Sequence, residues 1–287
     1  MRALTILCLS LRQDLQYVYD LTLRDFTAKG HLIVALRYWH SLRDAATATM
    51  PSDSAPWTPR ETLTGALLTL IPLMGISLLN QASTPSGSLA QVPDGAYAIE
   101  TFISIIILEG AFAIAPLFYA RKHASGDWQQ TLGFRLPYVT LAIGLAILGM
   151  LATIVLDVIY GFLITALRLS IQTNADRLEQ QLGHMPLTLG ATLIGAIFIA
   201  PICEELFFRS FLLQGLRRVM SATWAVVLSS VIFAIAHVDL GSLPLLLVLG
   251  LMLGTLRVTS RSIWPSIALH MFNNLWTAVF LIMQLHQ

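Results

Sequence analysis

Charge is what this 287-residue chain has least of. Only 11% of its residues are Asp, Glu, Lys or Arg, against 56% hydrophobic and a mean hydropathy of +0.72. A soluble domain carries about 25% charged residues, so the composition is that of an integral membrane protein. Cysteine is scarce too. Cys8 and Cys203 stand far apart, the second in an apolar stretch, which excludes a disulfide framework. Net charge is +1 and no basic run with interleaved aromatics occurs, so no nucleic-acid partner is expected. No internal repeat is visible. The apolar run Ala3 to Leu11 lacks a small-residue cleavage site and leads into Arg12-Gln13-Asp14, so it is expected to stay in the mature chain.

What is abundant is apolar helix. Leu4, Leu7, Leu11, Leu15 and Val18 recur at spacings of three and four, which predicts an amphipathic helix. A second spans Leu32 to Leu42, with Tyr38 and Trp39 beside Arg37 and Arg43. Such helices suit a membrane surface or the flank of the remaining chain. Asp44 to Pro59 reads as a linker, which makes 1–60 an interfacial segment. Thr58-Pro59-Arg60-Glu61 is a helix start. Residues 61–186 then hold three spans, about Leu63 to Leu79, Tyr97 to Tyr119 and Leu136 to Leu167, the last long enough to be one span or two. Gly144, Gly149 and Gly161 could let it tilt or bend. Asn80 to Gly95 and Gln172 to His184 read as loops. Residues 187–287 hold four more spans, about Leu187 to Leu216, Thr223 to Val238, Leu243 to Leu256 and Ile263 to Met283. The fold class is therefore all-α, a polytopic bundle of seven spans, with room for an eighth in the N-terminal region. With the N-terminus inside, 14 of the 17 basic residues fall in inside segments, in keeping with the positive-inside rule.

The exception to apolarity organises the chain. Ile202-Cys203-Glu204-Glu205-Leu206-Phe207-Phe208-Arg209 puts three charges into an apolar segment. A charge at mid-bilayer costs about 2.5 to 15 kcal/mol, depending on how it is assessed. Glu205 and Arg209, four residues apart, share a helix face and can pair. Glu204 points about 100° away, with no partner on its own helix. One carboxylate reads as structural and the other as free for chemistry. Pro201, three residues before Glu204, predicts a kink. Two more polar sites follow. His237 closes Phe233-Ala234-Ile235-Ala236-His237, and His270-Met271-Phe272-Asn273-Asn274 puts His270 and Asn274 on one face. Intramembrane polar groups normally face the bundle interior or a wet cavity. Converged, these side chains could activate water and stabilise an oxyanion.

The order Glu204-Glu205-x-x-x-Arg209, Phe233-x-x-x-His237, His270-x-x-x-Asn274 resembles the CPBP family of CAAX-protease and bacteriocin-processing intramembrane proteases, over about Leu187 to Met283. The resemblance implies a helical bundle with a cavity open to the cytosolic side, in a bacterial inner membrane or its equivalent. It implies hydrolysis of peptide bonds in membrane-associated, prenylated or precursor peptides. By position, Glu204 and His237 would activate the attacking water, His270 and Asn274 would hold the oxyanion, and Glu205 and Arg209 would brace the site. Glu204, His237 and His270 could also bind Zn2+ with an open fourth position. Asn274 is not a usual zinc ligand, however, and no HExxH occurs. Both routes stay open.

Blander readings compete at each position. The Glu204, Glu205 and Arg209 set could be an ion-pair cluster that only locks helices. His237 and His270 could be packing histidines, and Asn274 interhelical glue. Asn273 reads as packing and Cys203 as a buried thiol. Glu109 and Asp157 could line a cavity, Glu100 reads as interfacial, and His31, His40, His123, His184 and His286 as surface. Membrane acids and histidines also serve proton- or ion-coupled transporters. Those often show paired, corresponding halves, whereas the polar sites here gather in the last third. A non-proteolytic scaffold or immunity protein is the third reading.

Overall fold

The computed structural model describes residues 55–82, 93–123, 126–135, 139–168 and 171–285. The expected helices of residues 1–43, most of the linker and any eighth span lie outside these residues, as do His31, His40 and His286. The described chain is helical without strands. Its elements are α1 (Pro59–Ala82), α2 (Asp94–His123), the short α3 (Trp128–Thr131), α4 (Val139–Ala166), α5 (Asn174–Leu182), α6 (Pro186–Leu216), α7 (Ala222–Ala236), α8 (Leu243–Ser260) and α9 (Trp264–Leu285). Six of them, α1, α2, α4, α6, α8 and α9, are long and apolar enough to cross a membrane, and α7 is a shorter apolar helix. These are the seven expected spans, and the third is one continuous helix. The protein is a multi-pass integral membrane protein.

The bundle is built around α6. Every residue from Glu204 to Gly215 is buried, as a helix apolar on all sides requires. α2 packs along much of α6, α9 against its middle, and α7 and α1 against its C-terminal half. Phe207, Phe208 and Phe211 meet Phe112, Tyr119 and Trp57 with ring centroids 5.2 to 5.7 Å apart. Such offset and edge contacts add to the burial of their area.

Polar clamps set how the helices are staggered. Asp94, the first residue of α2, accepts from Leu187 N (2.9 Å) and Thr188 N (3.0 Å) and pairs with the Thr188 hydroxyl at 2.7 Å. It thereby caps α6 in trans, meeting donors that a helix start leaves bare. At the other end, Glu61 closes a capping box with Thr58 and receives Lys122 (2.7 Å) and His123 (2.9 Å) from the end of α2. His123 is thus a pairing residue rather than plain surface.

Two loop expectations are corrected. Gln172 to His184 contains α5, whose start is a capping box of Thr173 and Asp176. The linker is not free at its end, because Ala55 and Trp57 are buried and the Arg218 guanidinium reaches the carbonyls of residues 55–57 at 2.8 to 3.2 Å. Gly149, expected to let α4 bend, instead admits Leu269 of α9, since a Cβ there would lie 2.8 Å from that side chain.

α7 and α8 approach most closely through Gly250-x-x-x-Gly254, a small-residue seam of the kind that lets membrane helices touch. A Cβ on Gly250 would stand 3.0 Å from Ser230 Cβ and 3.1 Å from its Cα, and on Gly254 3.0 Å from Val226. Gly144 on α4 has nothing within 4 Å. Gly250→Val should therefore lower stability by about 1–3 kcal/mol, the usual cost of overpacking, while Gly144→Val stays near wild type. Thermal midpoints in detergent, read by loss of the monodisperse chromatographic peak, check the contrast.

Candidate active site

α6 is not a uniform α-helix. Its Ala200–Glu205 turn-and-a-half lies between two π-helical stretches, Gly195–Ile199 and Leu206–Leu212, and π-bulges are frequent at functional sites. The first has a legible cause. Pro201 has no N–H to give its preceding turn, and the Ala200 N–H goes five residues back, to Gly195 O. The Ala196 carbonyl thus loses both of its ordinary helical donors. Asn274 of α9 supplies one, with Nδ2 donating at 2.8 Å. Asn273 Nδ2 reaches Asn274 Oδ1 at 3.4 Å and steadies that amide from the side. The sequence predicts a kink at Pro201; the widened turn and its amide crosslink are what the fold makes of it.

On this frame the charged groups meet. Glu205 and Arg209 are both fully buried, with Arg209 Nε 3.5 Å from Glu205 Oε2. That distance is an ion pair rather than a good hydrogen bond. The guanidinium carbon also lies 4.3 Å from the centroid of the Phe233 ring, a cation–π contact. The other oxygen, Oε1, is 3.1 Å from His270 Nδ1. Glu205 is therefore occupied on both sides, and Asp157 on α4 is not the partner of Arg209.

Glu204 faces the other way, as its 100° offset predicts. Its Oε2 lies 3.8 Å from His237 Nε2 and 3.8 Å from His270 Nε2, and it is buried without a hydrogen-bond partner. His237 Nδ1 lies 2.8 Å from the Phe233 carbonyl. A carbonyl can only accept, so in the neutral ring Nδ1 carries the proton and Nε2 presents a lone pair. His270 Nδ1 donates to an ionised Glu205, which leaves its Nε2 to accept in the neutral ring and to donate in the imidazolium. Glu204 Oε2 thus has two imidazole nitrogens at 3.8 Å, each too far for a direct hydrogen bond and suitably spaced for a water between them. Buried polar atoms left unmet in this way call for an explanation.

That point borders a cavity of about 240 Å³ between α1, α2, α6 and α7. Glu204 and His237 line it, with Ser77 and Asn80 of α1 and Glu109 of α2. His270 is buried behind Glu204 and is not part of the wall. Four expected residues are thus divided: Glu204, His237 and His270 converge, while Asn274 sits a turn further along α9 on the Ala196 carbonyl. Glu109 lines the cavity, Glu100 is exposed, and Cys203 is a free, half-buried thiol. Phe233 had no role in the sequence reading, yet its ring touches Arg209, His237 (4.6 Å), His270 (5.7 Å) and Phe208 (5.1 Å). Its i,i+4 spacing to His237 is the signal that could have marked it. Among the described residues, no group of three or more His, Cys, Asp or Glu side chains is arranged to hold a metal ion.

A polytopic helical membrane protein with two carboxylates and two imidazoles gathered from three helices beside an intramembrane cavity defines the class. Residues 186–276 match the family described as "Type II CAAX prenyl endopeptidase Rce1-like", a stretch that contains all three motifs of the sequence analysis. The chain is also similar to the Bacillus subtilis (strain 168) protein named "Putative membrane peptidase YdiL", 33% identical over 87 residues, 30% of this chain and 36% of that one. It thus spans little more than a third of the length of the curated relative it matches. No solved structure matches it.

Because Glu205 neutralises Arg209 and holds His270, Glu205→Gln should leave a buried guanidinium without its anion. Breaking one side of a buried pair costs about 3–5 kcal/mol. Expression and thermal midpoint should fall clearly further for Glu205→Gln than for Glu204→Gln; the opposite order would show bracing and reacting carboxylates to be exchanged.

Proposed function

We propose that this chain is an intramembrane endopeptidase that hydrolyses peptide bonds of membrane-associated peptides with a water activated by Glu204. The observation that carries this reading is the buried, unmet Glu204 Oε2 with an imidazole Nε2 on either side at 3.8 Å, on the wall of a cavity inside the bundle.

A water seated there donates to Glu204 Oε2 and His237 Nε2, which aligns its lone pair toward the cavity. As it attacks a carbonyl carbon, Glu204 takes its proton. Charge then builds on the carbonyl oxygen. His270, protonated at Nε2, and the Asn274 amide proton not given to Ala196 supply oxyanion donors. Glu205 stabilises that imidazolium through Nδ1, and Arg209 balances Glu205. The site thus needs no net charge brought from water. No step is routed through a metal, in accord with the donor geometry; a Zn2+ on Glu204, His237 and His270 is the competing arrangement. Prenylated CAAX-type tails and precursor peptides are the substrate classes that the family likeness suggests. The cytosolic-side opening and N-terminus-inside topology belong to the same proposal.

The test uses purified protein in detergent with two internally quenched probes, a farnesylated CAAX-tailed peptide and an apolar precursor-type peptide. Glu204→Gln keeps shape but removes the basic oxygen. It should bind the cleaved probe normally and cut it at least ~100-fold more slowly, since a placed general base contributes about 10²- to 10⁴-fold. Asn274→Ala should lose about 10²-fold, the scale of one oxyanion donor. Cleavage at the wild-type rate by Glu204→Gln, or no cleavage of either probe by the wild type, overturns the reading. Inhibition by a chelator that added Zn2+ reverses would replace the metal-free route with the metal-bound one.

A further inference from the structure

Hydrolysis of a peptide bond also requires a proton at the leaving nitrogen. Glu109 of α2 stands on the wall of the same cavity as Glu204 and His237. Its Oε2 is buried with no hydrogen-bond partner. The depth of this carboxyl is set by construction rather than by chance. Asp94 fastens the start of α2 to the start of α6, so the two helices run parallel from a common level. Glu109 is fifteen residues beyond Asp94 and Glu204 seventeen beyond Leu187. At 1.5 Å per residue both carboxyls lie roughly 22 to 26 Å along their helices. Packing of α2 on α6 continues past this level, where Phe112 meets Phe207 and Phe208 at 5.4 and 5.7 Å.

We propose that Glu109 is a second catalytic carboxyl, the acid that protonates the amine as the peptide bond breaks. This rests on the endopeptidase reading. Two carboxyls on the wall of one small cavity resist ionising together, because like charges close to each other repel. Glu204 Oε2 also lacks a hydrogen-bond partner, but the protonated His270 ring 3.8 Å away supports its negative charge, whereas among the described residues no histidine or cation pairs with Glu109. The shared proton therefore resides on Glu109. In the cycle, Glu204 takes a proton from water as the hydroxyl oxygen bonds the carbonyl carbon. Glu109 then gives its proton to the amide nitrogen as the C–N bond breaks, with the bonding pair leaving on nitrogen. The proton on Glu204 returns to Glu109 through cavity water. One water is consumed, and one carboxylic acid and one amine are formed.

An acid of this kind matters in proportion to how badly the leaving group needs a proton. An amide nitrogen must be protonated to leave; an ester oxygen leaves with far less help. The experiment compares Glu109→Gln with wild type on the cleaved quenched peptide and on its depsipeptide, identical except for an ester at the scissile bond. The expected result is a loss of at least ~100-fold on the amide and under ~10-fold on the ester. Because both rates come from one protein sample, poor folding lowers them equally and cancels in the ratio. Equal loss on both bonds, or no loss on the amide, overturns the assignment and leaves Glu109 a structural or bystander residue. Glu204→Gln, run alongside, should fail on both bonds. Its survival would instead sink the water-activating role of Glu204, whatever Glu109 does.

Discussion

One carboxylate holds this site together. Glu205 spends one oxygen on Arg209 and the other on His270, deep in a bundle where none of the three could be hydrated. Separately, each would be prohibitive in a membrane interior. Together they form a compact neutralised unit, with the Phe233 ring under the guanidinium. The consequence is asymmetry between neighbours in sequence. Glu205 has a neighbour of opposite or compensating character for each oxygen, Arg209 at 3.5 Å and His270 at 3.1 Å, whereas Oε2 of Glu204, one residue earlier and turned away, lies 3.8 Å from two imidazoles beside the cavity. Two identical residue types thus acquire different surroundings from a rotation of about 100°.

Placing that unit correctly is a problem of axial alignment, and the chain solves it with polar contacts at helix ends rather than with apolar packing. Lipid-facing residues discriminate little between one stagger and another, since lipid and leucine are alike in polarity. Asp94 on the first turn of α6 and Glu61 on the last residues of α2 are directional and cannot slide. The Gly250 and Gly254 seam then seats α8 against α7, the helix that ends in His237. The converging groups come from three helices: α6 is pinned far from them by Asp94, α7 by the glycine seam, and α9 one turn away by the Asn274 bond to Ala196.

Most of the fold was legible because spans advertise themselves through unbroken hydropathy, and all seven apolar helices lie where they were expected. That Glu204 and Glu205 face different ways, one toward the cavity and one toward Arg209, was legible from helix period alone. Convergence of His237 and His270 on Glu204 followed from the principle that polar groups on apolar helices seek one another. Other features were not legible, for identifiable reasons. The Asn274 bond to Ala196 depends on a carbonyl exposed by a π turn, and hydropathy carries no trace of backbone pitch. Phe233 was marked by the Phe233-x-x-x-His237 spacing but given no task, because nothing in the sequence says that its ring lies beneath Arg209. α5 was misread because a polar composition outweighed the Thr173 and Asp176 box that starts it. The Gly250 and Gly254 pair was present in the letters and passed over as ordinary span composition.

The π-helical stretch at Gly195–Ile199 carries a consequence for how this sequence can change. A π turn holds about one residue more than an α turn, so the stretch amounts to a single accommodated insertion within α6. Deleting one residue within that stretch would let regular pitch return with the two ends of the helix still in phase, so the Asp94 cap and the Glu204 carboxylate could both keep their partners. What such a deletion would remove is the widened turn itself, and with it the bared Ala196 carbonyl that Asn274 holds. A residue gained where no π turn absorbs it would instead rotate the two ends by about 100°. Length in this segment is therefore constrained in one direction more than in the other: it can lose its extra residue at the expense of one crosslink, but cannot gain another without turning Glu204 from its neighbours.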